Sequence, residues 1–139
     1  MAAPSALCAA MPLAYAIDRD QRLVTISGEY ARAAEWQDVL TRIHLDAEHQ
    51  PGFAFLRDLR TGTTPVDAAT VMEIAKVVGR FWPVLQPSRV AILARSEDDA
   101  PALVAQALAD AAGVPLRMFT NHKEALAWLA QGVQLTEHH

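Results

Sequence analysis

The side chains best suited to chemistry sit behind three short apolar runs. Arg57, Asp58, Arg60, Thr61 and Thr63 follow the first, Arg95 and Ser96 the second, and Asn121, His122 and Lys123 the third. Cations and hydroxyls gathered where helices begin can hold a carboxylate or phosphate, because orphan backbone N–H groups and the helix dipole both favour an anion there. The same residues also serve as caps and solvated loop pairs, and Asp58 beside Arg57 and Arg60 reads most simply as an ion pair that fixes a loop. His44 and Glu48, four apart, with His49 next to them, are metal-ligand types. They lack the second His or Cys pair that completes a tetrahedral set, so they read as surface residues at a helix end.

Covalent catalysis finds no frame in this chain. A nucleophile needs a base and an orienting group, and there is no Gly-x-Ser-x-Gly elbow, no Gly-x-x-x-x-Gly-Lys loop and no Gly-x-Gly-x-x-Gly turn. The single cysteine, Cys8, lies in an Ala-rich opening stretch where nothing fixes its geometry, and a lone cysteine makes no internal disulfide. The expectation is a non-enzymatic protein with no catalytic residue, no metal and no cofactor.

The composition narrows the partners. The chain has 139 residues, 52% hydrophobic and 20% charged, enough apolar material in one domain's length to offset chain entropy. Twelve Lys+Arg against sixteen Asp+Glu leave a net charge of −4, so no net positive field attracts nucleic acid or anionic lipid. No run of about 18 strongly apolar residues occurs, which argues against membrane insertion. A cytoplasmic protein is expected, with a flexible tail over 1–12, one domain over 13–130 and a C-terminal tail over 131–139.

The elements that must position these residues follow from periodicity. Leu13 to Asp18 and Leu23 to Ser27 suit an antiparallel hairpin, and Trp36, Val39, Leu40 and Ile43 recur at helical spacing between about Tyr30 and Asp46. Phe53 to Leu56 reads as a buried strand. Thr64-Pro65-Val66-Asp67 predicts a helix with Thr64 at N-cap, Pro65 first and Asp67 third, ending near Trp82 because Pro83 opposes continuation. Val71, Ile74, Ala75, Val78 and Phe81 form its apolar stripe. Val90 to Leu93 is a second buried strand. Ser96 to Asp99 caps an Ala-rich helix from about Pro101 to Ala112, with Gly113 as its stop. Leu116 to Phe119 is the last strand, and Asn121 with Glu124 caps a final helix bearing Ala125, Leu126, Trp128 and Leu129. The order β-β-α-β-α-β-α-β-α predicts an α/β fold: a mixed, mostly parallel five-stranded sheet with helices on both faces.

Aromatic placement bears on function. Trp36 and Trp128 fall on apolar faces and read as core anchors, whereas Trp82 beside Phe81 stands at a corner. Met72 and Val77 lie off the main stripe of the second helix and make it apolar over more than one face. Such a helix suits either a protein contact or the wall of a greasy pocket.

The order of elements, the Gly28 after the second strand, Asp58-Leu59-Arg60, Arg89-Val90-Ala91-Ile92, and the closing Phe119-Thr120-Asn121 with Glu124-Ala125-Leu126-Ala127-Trp128-Leu129 carry a family likeness. Over about residues 13–130 the chain resembles the SpoIIAA-like branch of the STAS domains, the anti-sigma-factor-antagonist fold. Phosphorylatable members accept phosphate on a Ser or Thr at the start of the helix after the third strand. Setting Asp67-Ala68-Ala69 against that segment puts alanines at the acceptor position. The resemblance therefore implies a regulatory or protein-interaction module without the phosphorylation switch, whose partner is another protein or a second copy of the chain. The alternative is a carrier or sensor of a small lipid-like or apolar anionic ligand. Candidate contact residues for either are Arg57, Asp58, Arg60, Thr61, Thr63, Thr64, Met72, Trp82, Arg95 and Ser96.

Overall fold

Leu13–Asp18 (β1) alternates covered and exposed side chains, as a strand with one packed face must. It pairs antiparallel with Leu23–Gly28 (β2) through a turn in which the Gln21 N–H donates to Asp18 Oδ1 at 3.0 Å. The structure is a computed structural model, in which residues 13–28, 32–60 and 67–137 are described. Ala54–Asp58 (β3), Val90–Leu93 (β4) and Leu116–Phe119 (β5) then add in parallel, giving a five-stranded sheet in the order β1-β2-β3-β4-β5. This is the α/β order expected from the sequence.

Register sorts the side chains into two faces. Val24, Phe55, Val90 and Leu116 form one cross-strand row, and Ile26, Arg57, Ile92 and Met118 the next. Three helices cover that face: Ala33–Leu45 (α1), Ala68–Leu85 (α2) and Ala100–Ala112 (α3). The opposite face carries Ala54, Leu56, Ala91 and Leu93, and His122–Glu137 (α4) packs on it through Ala125, Leu129 and Val133. Gly132 lets the Arg89 side chain pass close to α4, since a Cβ there would lie 2.6 Å from Arg89 Cδ. Arg89 in turn stacks 4.7 Å from the Trp128 ring and donates to its carbonyl at 2.8 Å.

Capping fixes the helix starts. Asp99 Oδ1 accepts the Ala102 N–H at 3.1 Å, Asn121 Oδ1 accepts the Glu124 N–H at 3.1 Å, and Gly113 closes α3 with φ of 72°. In α2 the cap differs from the expected one. Asp67, not Thr64, is the N-cap: its backbone is extended, its Oδ1 accepts the Thr70 N–H at 2.8 Å, and Ala68 is the first helical residue. Aspartate caps as well as threonine, so the later cap is available to the chain; Thr64 lies outside the described residues.

The other end of α2 also departs from expectation, because the helix passes through Pro83 to Leu85. A proline in the last turn removes one bond, to the Gly79 carbonyl, and Leu85 gains burial at 4% exposure. Gln86 then takes a left-handed conformation with φ of 47° and returns its N–H to the Trp82 carbonyl at 2.9 Å. Val77, off the expected stripe, is buried in the core between α1, α2 and the sheet. α4 extends to Glu137, beyond the apolar residues that signal it in the sequence.

β5 is an edge strand, and a side chain stands in for its missing neighbour. The Gln106 amide donates to the Leu116 carbonyl at 2.7 Å and accepts the Met118 N–H at 2.8 Å, as a paired strand would. Gln106→Ala is expected to lower stability by about 1–3 kcal/mol, the worth of two partly buried hydrogen bonds at roughly 0.5–1.5 kcal/mol each, and to promote concentration-dependent association. Denaturant unfolding and analytical ultracentrifugation check this; unchanged stability and sedimentation would contradict it.

Candidate functional site

Helix α3 meets the sheet largely through alanine. Ala102, Ala105 and Ala109 face inward, and α2 contributes Ala75 and Gly79 on the adjoining side. Methyl groups and a bare Cα reach too short a distance to fill the space that leucines would close, whereas interiors are ordinarily packed to crystal density. The result is a cavity of about 410 Å³ between the sheet and helices α2 and α3. Its floor includes Ile26, Phe55, Val90, Ile92 and Leu116, and Val71, Val78 and Trp82 form the α2 wall. Met72, Lys76 and Gly79 line it from exposed positions on α2, which marks the open side.

The polar groups of the lining are few. Arg57 and Trp36 meet at one end, and Lys76 stands at the rim. Arg57 is 6% exposed, the sole buried charged residue among those described. Its Nη1 donates to the carbonyls of Asp58 at 3.1 Å and Ile26 at 3.4 Å, and its Nη2 to that of Gly28 at 3.3 Å. The guanidinium carbon lies 5.2 Å from the Trp36 ring centroid, within range of cation–π attraction. Trp36 is itself 6% exposed, and its Nε1–H is buried with no acceptor among the described residues.

The polar group expected behind β3 is divided by the pleat. β3 extends through Asp58, so Arg57 points to the three-helix face and its guanidinium is not paired with the Asp58 carboxylate as a loop-fixing pair would be. Asp58 instead accepts the Arg60 N–H at 3.0 Å, its Nε at 3.1 Å and its Nη2 at 3.1 Å. Burial tends to raise the Asp58 pKa, but the bonds from Arg60 and the charges of Arg60 and His122 outweigh it and hold the carboxyl below its ordinary range. Arg95 and Ser96 are exposed, and the Ser96 carbonyl accepts the Asp99 N–H at 3.3 Å in the turn before α3. Thr61 and Thr63, like Thr64, lie outside the described residues.

The cavity thus gathers Arg57, Met72 and Trp82 from the sequence candidates and leaves Asp58, Arg60, Arg95 and Ser96 elsewhere. Trp36 reads in the sequence as a core anchor, and it is one, yet it also walls the cavity. Gly79 and the α3 alanines carry no such signal, since small residues in a helix look like propensity alone. The histidine-rich end of α1 is more structural than surface-like. His49 packs edge-on against Phe53 and Phe55 at 5.9 and 6.0 Å, and burial, then the nearby His44, push its pKa down. Glu48 pairs with Arg19 at 3.3 Å.

No family model matches the chain, and no curated protein does. A solved structure does match: an uncharacterised protein of the DUF3478 family with a SpoIIAA-like fold from Shewanella loihica PV-4. It is 16% identical, with a TM-score of 0.58 over 85% of this chain and 94% of that one. The fold is SpoIIAA-like. At this identity the likeness is one of architecture. In the SpoIIAA-like arrangement seen here, the first two positions of the helix after β3 are Ala68 and Ala69. No helix among the described residues is long and apolar enough to cross a membrane.

Because the Asp58 pKa is depressed by folding, its contribution to stability is complete above the ordinary carboxylate range and is lost as pH falls through the depressed value. Arg60→Ala removes the side-chain bonds and the charge that oppose burial, leaving the residue-60 N–H and His122, so the Asp58 pKa is expected to rise. Carboxyl NMR titration of the two proteins checks this, and an unmoved Asp58 would contradict it.

Proposed function

We propose that this SpoIIAA-like domain is a binding module, a carrier or sensor, for a small apolar molecule held between the sheet and helices α2 and α3. The observation that supports this reading is the cavity of about 410 Å³. Its size falls in the range of small-molecule sites, roughly 300–1,000 Å³, and its largely apolar lining with a few convergent polar groups is the usual character of such sites. The module works by recognition. Ala68 and Ala69 offer no hydroxyl at the start of α2, which favours operation without a phosphorylation switch.

A second reading, contact with a protein partner, is favoured by two exposed apolar side chains on the same helices. Met72 is 49% exposed and Leu103 46%. In this reading the α2 and α3 surface docks onto a partner or a second copy, and sedimentation of the wild type against a Met72→Glu, Leu103→Glu double variant separates it from the carrier.

Gly79 provides a clean test of the carrier. A Cβ at this position meets nothing within 4 Å, and replacing a helical glycine gains up to about 1 kcal/mol of helix propensity. Gly79→Trp is therefore expected to fold at least as stably while occluding the cavity from its open side. Wild-type protein should show bound decanoate in native mass spectrometry and a rise in melting temperature on adding it, and Gly79→Trp should lose both. Wild-type protein that neither binds decanoate nor gains thermal stability with any apolar acid would count against the proposal.

A further inference from the structure

We infer that the cavity takes a single-chain amphiphile whose anionic headgroup stays at the mouth, paired with the Lys76 ammonium, while its apolar chain runs inward over the sheet. The inference rests on the cavity being a binding site and adds the charge and the orientation of its occupant.

Spacing along α2 places the cation at the opening. Met72, Lys76 and Gly79 lie four and three residues apart, on one stripe of the helix, and all three line the cavity from exposed positions. Val71 and Ile74 line it from the buried side of the same helix. A lysine so placed lays its methylene stem along an apolar wall and keeps its ammonium in water. Lys76 makes no hydrogen bond or ion pair with the described residues, which leaves that charge available to a ligand.

Charge is scarce in the rest of the lining. Among its described residues Arg57 is the other charged one, and its guanidinium is committed elsewhere: it is 6% exposed, with terminal nitrogens on the main-chain carbonyls of Ile26, Gly28 and Asp58. Helix α3 contributes Ala105, Leu108, Ala109 and Ala112. Its one carboxylate, Asp110, lies outside the lining and accepts from the Gln106 amide at 3.0 Å. Glu73, exposed on α2, is outside the lining as well. A chain of net charge −4 thus presents, at the opening of its apolar chamber, a cation with no lining carboxylate among the described residues to oppose it.

Hydration sets the orientation. An ionised head drawn into the apolar interior loses its water without a full set of replacing donors. At the mouth it keeps water on one side and meets Lys76, while the chain leaves water over Phe55, Ile92 and Leu116. A neutral guest gains nothing from the lysine, and a cationic one is repelled by it.

The test titrates four ten-carbon probes, decanoate, decyl phosphate, 1-decanol and decyltrimethylammonium, calorimetrically at low ionic strength, where exposed pairs are least screened. The proteins are the wild type, Lys76→Met, Lys76→Glu and Lys123→Glu. Methionine and glutamate are good helix formers at an exposed site, and circular dichroism with melting temperature verifies folding. Lys123→Glu makes the same change in net charge at the start of α4, on the opposite face of the sheet. Lys76→Met should weaken decanoate roughly twofold to fivefold, the scale of one exposed ion pair, and leave 1-decanol unchanged. Lys76→Glu should shift the ratio of decanoate to decyltrimethylammonium affinity by about tenfold or more toward the cation, with Lys123→Glu close to the wild type. A larger loss for decanoate assigns the head to a carboxylate and a larger loss for decyl phosphate to a phosphate, each in support. Equal shifts for charged and neutral probes, no shift for any, a wild type that prefers the cation, or an equal effect of Lys123→Glu would overturn the inference while leaving the cavity a binding site. If no probe binds the wild type, the binding site itself falls and the inference with it.

Discussion

A helix that meets a sheet through methyl groups leaves the sheet partly uncovered. That is the situation of α3, whose Ala102 and Ala105 stand over Ile92, Leu116 and Met118 where longer side chains would fill the layer. The remaining covering is shared with α2, which turns Ala75 and Gly79 toward the same space. Close packing elsewhere makes the gap specific. Ile43, Leu56, Leu93 and Leu129 are fully buried, and the cores between α1 and the sheet and between α4 and the sheet are continuous. An unfilled volume bounded by the sheet persists, because β3 and β4 beneath it are held by parallel ladders on both sides and resist collapse into it.

The second organising feature is the two-residue repeat of β3. Arg57 and Asp58 are neighbours in sequence but belong to opposite faces. The guanidinium enters the three-helix layer and binds main-chain carbonyls, while the carboxylate stays with Arg60. A charge buried in this way must be hydrogen bonded to be tolerated, and the bonds to Ile26, Gly28 and Asp58 anchor it at the end of the sheet. The stack on Trp36 then links α1 to β3 and sets the polar end of an otherwise apolar chamber.

Much of the architecture was legible in the residues themselves. Asp99, Gly113 and Asn121 mark helix ends by local chemistry that does not depend on the rest of the chain, and the apolar runs at Val90 and Leu116 read as strands, the first of them buried. Local rules fail where they compete with burial. Pro83 argues for a stop, yet Leu85 carries the helix on because it has a core to enter. Asp67 caps α2 in place of the expected Thr64 because both residue types can do so. Arg57 looked like a loop residue since a strand end bearing Arg-Asp has no distinctive pattern. The cavity was invisible for a deeper reason: a void is the difference between what facing elements supply and what the space needs, and periodicity in one element does not report it.

A carrier must take an apolar guest into the space under α2 and α3. Methyl-labelled NMR with bound decanoate reads this directly through intermolecular NOEs. NOEs are expected from the decanoate chain to the methyls of Ile92, Ala105 and Leu116, with the α4 face silent. NOEs confined to Leu93 and Leu129 on that other face, or none to any methyl at saturating decanoate, would contradict it.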